Sequence, residues 1–92
     1  MDMSKNHSAK PWMLYILECS DGTFYTGVTN DMDRRFSQHN AGTAARYTRG
    51  RRPVRLRYCE PYTTRSQALV REAAIKRLAR AAKHRLMRRI VK

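Results

Sequence analysis

The sequence predicts a small α+β domain, with a three-stranded antiparallel sheet flanked by helices in the order β-β-α-β-α-α. The chain has 92 residues, which is about the size of one domain. Short apolar, β-branched and aromatic runs, two of them joined by a Ser-Asp-Gly sequence, are typical of antiparallel strands. Later segments carry apolar residues every three or four positions, which indicates helices. We expect a disordered leader at residues 1–10 and a single domain over residues 11–92.

The first two strands are predicted on either side of a hairpin turn. Residues 12–19 read WMLYILEC, a continuous apolar run that indicates a buried strand. Residues 23–29 read TFYTGVT, and their β-branched and aromatic side chains indicate a second strand. The Ser-Asp-Gly sequence between them favours a tight turn with glycine at positive φ. Gly27, within the second strand, predicts a close backbone approach or a bulge.

The remaining elements follow from capping signals and periodicity. Residues 29–31 provide helix caps for a first helix that runs to about Asn40, with Gly42 beyond its end. Residues 43–52, TAARYTRGRR, are predicted to form a basic loop. Residues 53–62 alternate apolar and basic side chains, which indicates a third strand with one cationic face. A second helix is expected from residues 63–66 to about residue 78, and a last helix over residues 81–90.

The composition excludes several classes of protein. No run of about 18 apolar residues is present, so we expect neither a membrane-spanning segment nor a membrane partner. The polar residues 1–10 lack the apolar core of a secretory signal. The two cysteines, Cys19 and Cys59, do not form a CxxC pair, which disfavours a disulfide framework or a zinc site. We therefore expect a cytoplasmic protein.

The charge predicts a polyanionic partner. The chain carries 20 Lys and Arg residues against 7 Asp and Glu residues, a net charge of +13 at pH 7. Binding to a phosphate backbone releases counterions, and arginine adds bidentate contacts with phosphate oxygens. Charge alone does not separate DNA from RNA, and a basic surface that only promotes solubility is the alternative. We expect phosphate contacts from Arg46, Arg49, Arg51, Arg52, Arg55 and Arg57.

Two pairs of polar side chains are candidates for catalysis. Tyr15 and Tyr25 lie on two strands joined by a tight turn and are expected to be near neighbours. The alternative is an ordinary aromatic pair that stabilises the sheet. Arg35 and His39 are four residues apart on the first helix, so they share a face. They combine a phosphate-binding guanidinium with a titratable imidazole, although a solvated helix face is the alternative.

Glu72 is the third candidate. It follows Ala68 and Leu69 and precedes Ile75 on the apolar face of the second helix, within a strongly basic part of the chain. Such a carboxylate is explained either by an ion pair with an arginine or by a bound metal ion. Mg²⁺ prefers oxygen ligands and often binds one carboxylate together with waters and a substrate phosphate. Together these groups form a plausible phosphodiesterase set. The set has too few acids for two-metal catalysis.

The order and spacing of these residues resemble the GIY-YIG endonuclease superfamily, especially its small stand-alone bacterial (YhbQ-like) members. Leu14-Tyr15 corresponds to the last two letters of GIY, with Met13 in place of the first glycine, and Tyr25-Thr26-Gly27 corresponds to YIG. The resemblance extends from residue 12 to about residue 78. The residues that match the family's helix arginine, its following histidine and its metal-binding glutamate are Arg35, His39 and Glu72.

The resemblance implies hydrolysis of DNA phosphodiester bonds with a single Mg²⁺ or Mn²⁺ ion, on structured or damaged DNA in repair. Tyr15 or Tyr25 would activate or position the water, and Arg35 would bind the scissile phosphate. His39 would assist proton transfer or hold a tyrosine, and Glu72 would bind the metal. The alternative is a non-catalytic basic module that binds DNA or RNA. Such a module need not keep all five polar residues, so their presence favours the nuclease.

Overall fold

The computed structural model describes residues 11–88, so the leader expected at residues 1–10 and the end of the last predicted helix lie outside the described residues. The α+β class and the predicted order are confirmed, but the prediction of a loop at residues 43–52 is wrong in part, because this segment contains a short helix. Among the described residues, no helix is long and apolar enough to cross a membrane. The elements are β1 (Trp12–Glu18), β2 (Phe24–Thr29), α1 (Met32–Ala41), α2 (Arg46–Arg49), β3 (Arg55–Tyr62), α3 (Arg65–Lys76) and α4 (Arg80–Arg88).

β1 is the central strand of an antiparallel sheet with the order β2-β1-β3. Its central position explains its continuous apolar sequence, because both faces of the strand are covered. The turn to β2 is closed by a hydrogen bond from the Cys19 amide to the Thr23 carbonyl at 2.8 Å. Gly22 in this turn has a φ of 85°, a conformation that favours glycine, as the sequence predicted.

Helices cover both faces of the sheet. Because successive side chains of a strand point to opposite faces, β1 contributes to two separate cores. Leu14 and Ile16 pack on one face against α3 and α4, through Ile75, Leu86 and Met87. On the other face, Tyr15 and Leu17 pack against the side that carries α1, through Met32, Phe36 and Val54.

Local capping fixes where α1 begins and ends. The Asp31 carboxylate accepts a hydrogen bond from the Arg34 amide, and Gly42 closes the helix at a φ of 84°. The side chain of Asn40 then ties the end of the helix to the start of β3. Its Oδ1 accepts from the Val54 amide at 2.8 Å, and its Nδ2 donates to the Val54 carbonyl at 3.2 Å. These contacts hold α1 against the sheet face that carries Tyr15.

Candidate active site

The side chain of Tyr15 lies over Gly27. The two residues are directly paired between β1 and β2. A Cβ atom added at Gly27 would lie 2.5 Å from the Tyr15 hydroxyl oxygen, so a glycine is needed here to make room for the phenol. The group that approaches Gly27 is therefore the Tyr15 ring, and the pairing of β1 with β2 is regular here, so neither the backbone approach nor the bulge predicted from the sequence is found. Tyr25 lies two residues earlier on the same face, and its ring centroid is 6.4 Å from that of Tyr15.

His39 completes a cluster of three rings with Tyr15 and Tyr25. Its Nε2 atom lies 2.8 Å from the Tyr15 hydroxyl, and its Nδ1 atom lies 2.8 Å from the Thr48 hydroxyl. The His39 and Tyr25 ring centroids are 5.1 Å apart. His39 is only 1% exposed, so it does not belong to a solvated face of α1. The two tyrosines and the histidine of the sequence analysis thus meet in one place, called here the ring cluster.

Burial in the ring cluster keeps Tyr15 and His39 uncharged near neutral pH. Burial, and secondarily the charge of Arg35, lower the pKa of His39 to about 4. Burial raises the pKa of the Tyr15 hydroxyl well above its usual range. Tyr25 also raises this pKa, the charge of Arg35 lowers it and the charge of Glu72 raises it. Arg35 and Glu72, the two remaining predicted residues, are therefore close enough to Tyr15 for their charges to act on it.

Arg35 lies half-buried on α1, one helical turn before His39. No other described residue, within residues 11–88, forms an ion pair with its guanidinium. A polar depression of about 210 Å³ opens beside it. A positive charge that is held at the edge of a buried cluster without a carboxylate partner is suited to binding an anion. The depression is lined by Thr29, Asn30, Asp31, Arg34, Arg35 and Gln38.

Glu72 lies on the face of α3 that contains the buried residues Ala68 and Ile75, as predicted. Leu69, which was predicted to share this face, is instead 36% exposed. α3 packs mainly against β2 and β1, the strands that carry the two tyrosines. The Glu72 side chain is 20% exposed and forms an ion pair with Lys76 at 3.2 Å, whereas the arginine partner considered in the sequence analysis is absent among the described residues.

The carboxylate of Glu72 suits one kind of metal site. Across residues 11–88, no three His, Cys, Asp or Glu side chains come together in a group that could hold a metal ion. An all-protein cage is therefore not formed by this part of the chain. One partly exposed carboxylate, whose charge acts on Tyr15, does fit a Mg²⁺ or Mn²⁺ ion that is otherwise held by waters and a substrate phosphate.

The arginines predicted to bind phosphate fall into two groups. Arg46 and Arg49 are exposed on α2, and their side chains form no ion pair or hydrogen bond with another described residue. The other four make contacts within the protein. Arg52 donates to the Arg49 carbonyl at 2.8 Å. Arg51 binds Asp21 at 3.0 Å, while Arg55 and Arg57 share the Glu18 carboxylate.

Sequence reasoning missed two residues of α2 that contact the ring cluster. Thr48 is fully buried and holds the Nδ1 side of His39. The ring of Tyr47 stacks on Tyr25 with centroids 5.9 Å apart, and the Arg51 guanidinium lies 3.9 Å from the centre of the Tyr47 ring. Both residues lie in the TAARYTRGRR segment, whose charge dominates its pattern. No local signal in that segment distinguishes a buried threonine from an exposed one.

Comparison with known proteins agrees with this arrangement. The family model described as GIY-YIG catalytic domain matches residues 11–85. A UPF0213 protein of Halobacterium salinarum is 55% identical over 73 residues, which cover 79% of this chain and 95% of the relative. A UPF0213 protein of Xanthomonas axonopodis pv. citri is 51% identical over 74 residues, which cover 80% of this chain and 72% of the relative.

Two solved structures have the same fold. The solution NMR structure of a UPF0213 protein from Bacillus halodurans has a TM-score of 0.57 and 42% identity, and the match covers 86% of this chain and 84% of that one. The solution NMR structure of a protein from E. faecalis has a TM-score of 0.60, with the same identity and coverage. The chain therefore belongs to the GIY-YIG family, a nuclease superfamily, and is similar to its small UPF0213 proteins.

Proposed function

We propose that this protein is a metal-dependent endonuclease that hydrolyses DNA phosphodiester bonds. The main support for the proposal is the buried hydrogen bond between Tyr15 and His39. The charge of Arg35, which forms no ion pair with another residue of 11–88, acts on both side chains. Hydrolysis of a phosphate diester is assisted by a proton acceptor for the water, by a cationic group that stabilises charge on the phosphate, and by a carboxylate that can hold a metal ion. All of them lie within electrostatic range of one phenol, that of Tyr15.

Tyr15 is the tyrosine that we assign to proton transfer. Its hydroxyl oxygen is 2.8 Å from the His39 imidazole, a group that is uncharged near neutral pH because its pKa is lowered to about 4. The phenol can accept a proton from the attacking water while it passes its own proton to Nε2 of His39. Tyr25 packs against both rings and, through its other side, against Tyr47. This packing supports a positioning role for Tyr25.

Arg35 is assigned to the scissile phosphate. Negative charge builds up on the phosphate oxygens as the water attacks, and a guanidinium held beside the nucleophile stabilises that charge. A bound phosphate would also offset the positive charge that lowers the pKa of His39. His39 would then accept the proton from Tyr15 more readily in the complex than in the free protein.

Glu72 is the residue that would hold Mg²⁺ or Mn²⁺. The bound ion would supply Lewis-acid polarisation of the phosphate and neutralise part of its charge. The Glu72 carboxylate is on α3, which packs on the opposite face of the sheet from α1. Its ion pair with the half-exposed Lys76 is of the kind that contributes little free energy, so a competing cation can replace it.

The proposed substrate is DNA whose structure, rather than its sequence, is recognised. The net charge of +13 attracts the phosphate backbone, and Arg46 and Arg49 are exposed and available for phosphate contacts. Contacts to phosphates position a nucleic acid but carry no direct sequence information. We therefore propose that structured or damaged DNA, as it arises in repair, is cut in preference to an intact duplex.

The proposal is tested by cleavage of labelled single-stranded, double-stranded and branched DNA in Mg²⁺, in Mn²⁺ and in EDTA, with binding measured in parallel. We expect internal cuts in the branched substrate that require the metal, together with salt-sensitive binding of all three substrates. Binding of DNA without cleavage in either metal would favour a non-catalytic nucleic-acid binding module. A labelled RNA is assayed under the same conditions, and cleavage of this RNA without cleavage of any of the three DNA substrates would contradict the assignment of DNA.

A further inference from the structure

His39 is held at both ring nitrogens in a place that water does not reach. His39 is 1% exposed and Thr48 is 0% exposed. The Tyr15 hydroxyl lies at Nε2 and the Thr48 hydroxyl at Nδ1, each at 2.8 Å. A neutral imidazole carries one N–H and one bare nitrogen, and each hydroxyl is able to donate or accept. Which ring nitrogen of His39 carries the proton therefore depends on which of the two hydroxyls already donates its own proton to another acceptor.

The hydroxyl of Thr48 already donates its proton to a group other than His39. It donates a hydrogen bond to the Ala45 carbonyl at 3.2 Å, and a carbonyl oxygen only accepts. A hydroxyl has a single proton, so towards His39 the Thr48 oxygen is an acceptor. The proton of the imidazole then lies on Nδ1, and Nε2 presents a lone pair to Tyr15. In this arrangement the Tyr15 hydroxyl donates to His39.

We infer that Thr48 is a positioning residue that holds His39 in the Nδ1–H tautomer, so that Nε2 is ready to accept the phenolic proton of Tyr15. The catalytic meaning of this inference rests on the proposed function, whereas the tautomer itself does not. Thr48 touches neither the nucleophile nor the phosphate in the proposed reaction. It acts through the orientation and protonation of His39, as residues that orient a histidine do in other hydrolases.

The proton transfer balances with this tautomer. An O–H bond of the water breaks as its oxygen forms a bond to phosphorus, and that proton goes to the Tyr15 oxygen. The O–H bond of Tyr15 breaks at the same time, and its proton goes to Nε2 of His39. The imidazole becomes an imidazolium whose Nδ1–H remains bonded to Thr48. The bond between phosphorus and the leaving oxygen breaks, and the leaving oxygen takes a proton from solvent.

The short helix α2 positions Thr48 and Tyr47 against the ring cluster. Its four residues bring Thr48 beneath the imidazole, and the neighbouring Tyr47 packs on Tyr25. Arg51 connects α2 to the hairpin turn between β1 and β2. Its side chain donates hydrogen bonds to the Tyr47 carbonyl at 2.8 Å and to the Asp21 carboxylate at 3.0 Å. α2 thus holds the ring cluster from the side opposite the sheet.

The test uses the full chain labelled with ¹⁵N-histidine, and NMR correlations of the ring nitrogens report the tautomer of His39. The signals are assigned from their loss in His39→Gln. Thr48→Val removes the hydroxyl at nearly constant shape, and Thr48→Ser restores it. We expect Nδ1 to be protonated in the wild type and in Thr48→Ser, and we expect this proton population to fall in Thr48→Val. Single-turnover cleavage should slow by about 10- to 100-fold in Thr48→Val, with unchanged DNA affinity and recovery in Thr48→Ser.

Two results would overturn the inference. One is a wild-type spectrum in which His39 carries its proton on Nε2, which needs no variant to observe. The other is a folded Thr48→Val protein that keeps the Nδ1–H tautomer and the wild-type rate. If the wild type cleaves no DNA, the proposed function fails, while the NMR result still decides whether Thr48 sets the tautomer.

Discussion

The phenol of Tyr15 occupies the space where any other residue at position 27 would place its Cβ atom. Gly27→Ala puts a methyl group 2.5 Å from the hydroxyl oxygen, so the ring has to move away from His39. Displacements of about 1 Å in an active site cost on the order of 10²-fold in rate, and overpacking costs roughly 1–3 kcal/mol of stability. We expect slow cleavage by a protein that is still folded, as checked by single-turnover kinetics and thermal unfolding.

Gly50→Ala is the matched control for this substitution. Gly50 has a φ of −93° and nothing within 4 Å of an added Cβ atom, so the same methyl group is accommodated there. We expect a stability change of no more than about 0.5 kcal/mol and a normal cleavage rate. Equal rates for the two variants would mean that the position of the Tyr15 ring does not matter.

The burial of His39 predicts a pH dependence of stability. Its pKa is about 4 in the folded protein, against a usual value of 6.5. The unfolded chain therefore binds the proton more readily, and the stability that comes from the neutral imidazole is present above pH 6.5 and lost as the pH falls from 6.5 to 4. The loss is roughly 3 kcal/mol. Urea unfolding of the wild type and of His39→Gln between pH 7 and pH 4 measures it, and equal slopes for both proteins would contradict the prediction.

Arg35 is expected to matter more for turnover than for binding. Its loss removes one positive charge among many, but the guanidinium is close to the group that transfers the proton. We expect Arg35→Ala to slow cleavage by about 10²–10³-fold and Arg35→Lys to recover only part of the rate. Arg85→Ala, which removes the same charge from an exposed position on α4, is the control. Weak binding with a near-normal rate at saturating protein would make Arg35 a docking residue.

At the scale of elements, α2 carries the basic surface that is most available to DNA. Arg46 and Arg49 have no side-chain partner among the described residues, whereas Arg55 already binds Glu18 at 3.1 Å. We expect Arg46→Gln and Arg49→Gln each to lower the slope of log affinity against log salt by about 0.9, and Arg55→Gln to change it less. Binding measured over a salt series decides this. The opposite ranking would place the DNA along β3.

The regular elements were predictable because they contain strong local signals. β1 has an apolar run with a Ser-Asp-Gly turn behind it, and α3 begins at a capping box formed by Thr64 and Gln67. α2 was not predictable, since four residues are too few to show a helical period and arginine dominates their composition. The burial of Thr48 was not predictable either, because it depends on contacts with His39, which is nine positions away in the sequence.

At the scale of the whole molecule, the sheet separates two helical layers, and the candidate site draws on both. Tyr15 and Tyr25 lie on the strands of the sheet. Arg35 and His39 lie on α1, which covers one face of the sheet. Glu72 lies on α3, which packs on the other face through Ile75. The order and spacing of these five residues in the sequence predict that they act together. Their convergence on Tyr15 depends on the register that pairs Tyr15 with Gly27, which the sequence alone does not specify.

We propose that this convergence forms a metal-dependent nuclease site, and the substitution Glu72→Gln tests this proposal. Glu18→Gln is the matched control, because Glu18 is similarly exposed, at 23% against 20%, and also forms an ion pair with a basic side chain. In Mg²⁺, we expect Glu72→Gln to lose at least about 10²-fold in single-turnover cleavage while it binds DNA as well as or better than the wild type. We expect Glu18→Gln to cleave normally. Wild-type cleavage by a folded Glu72→Gln protein in Mg²⁺ would contradict a metal-dependent site at Glu72.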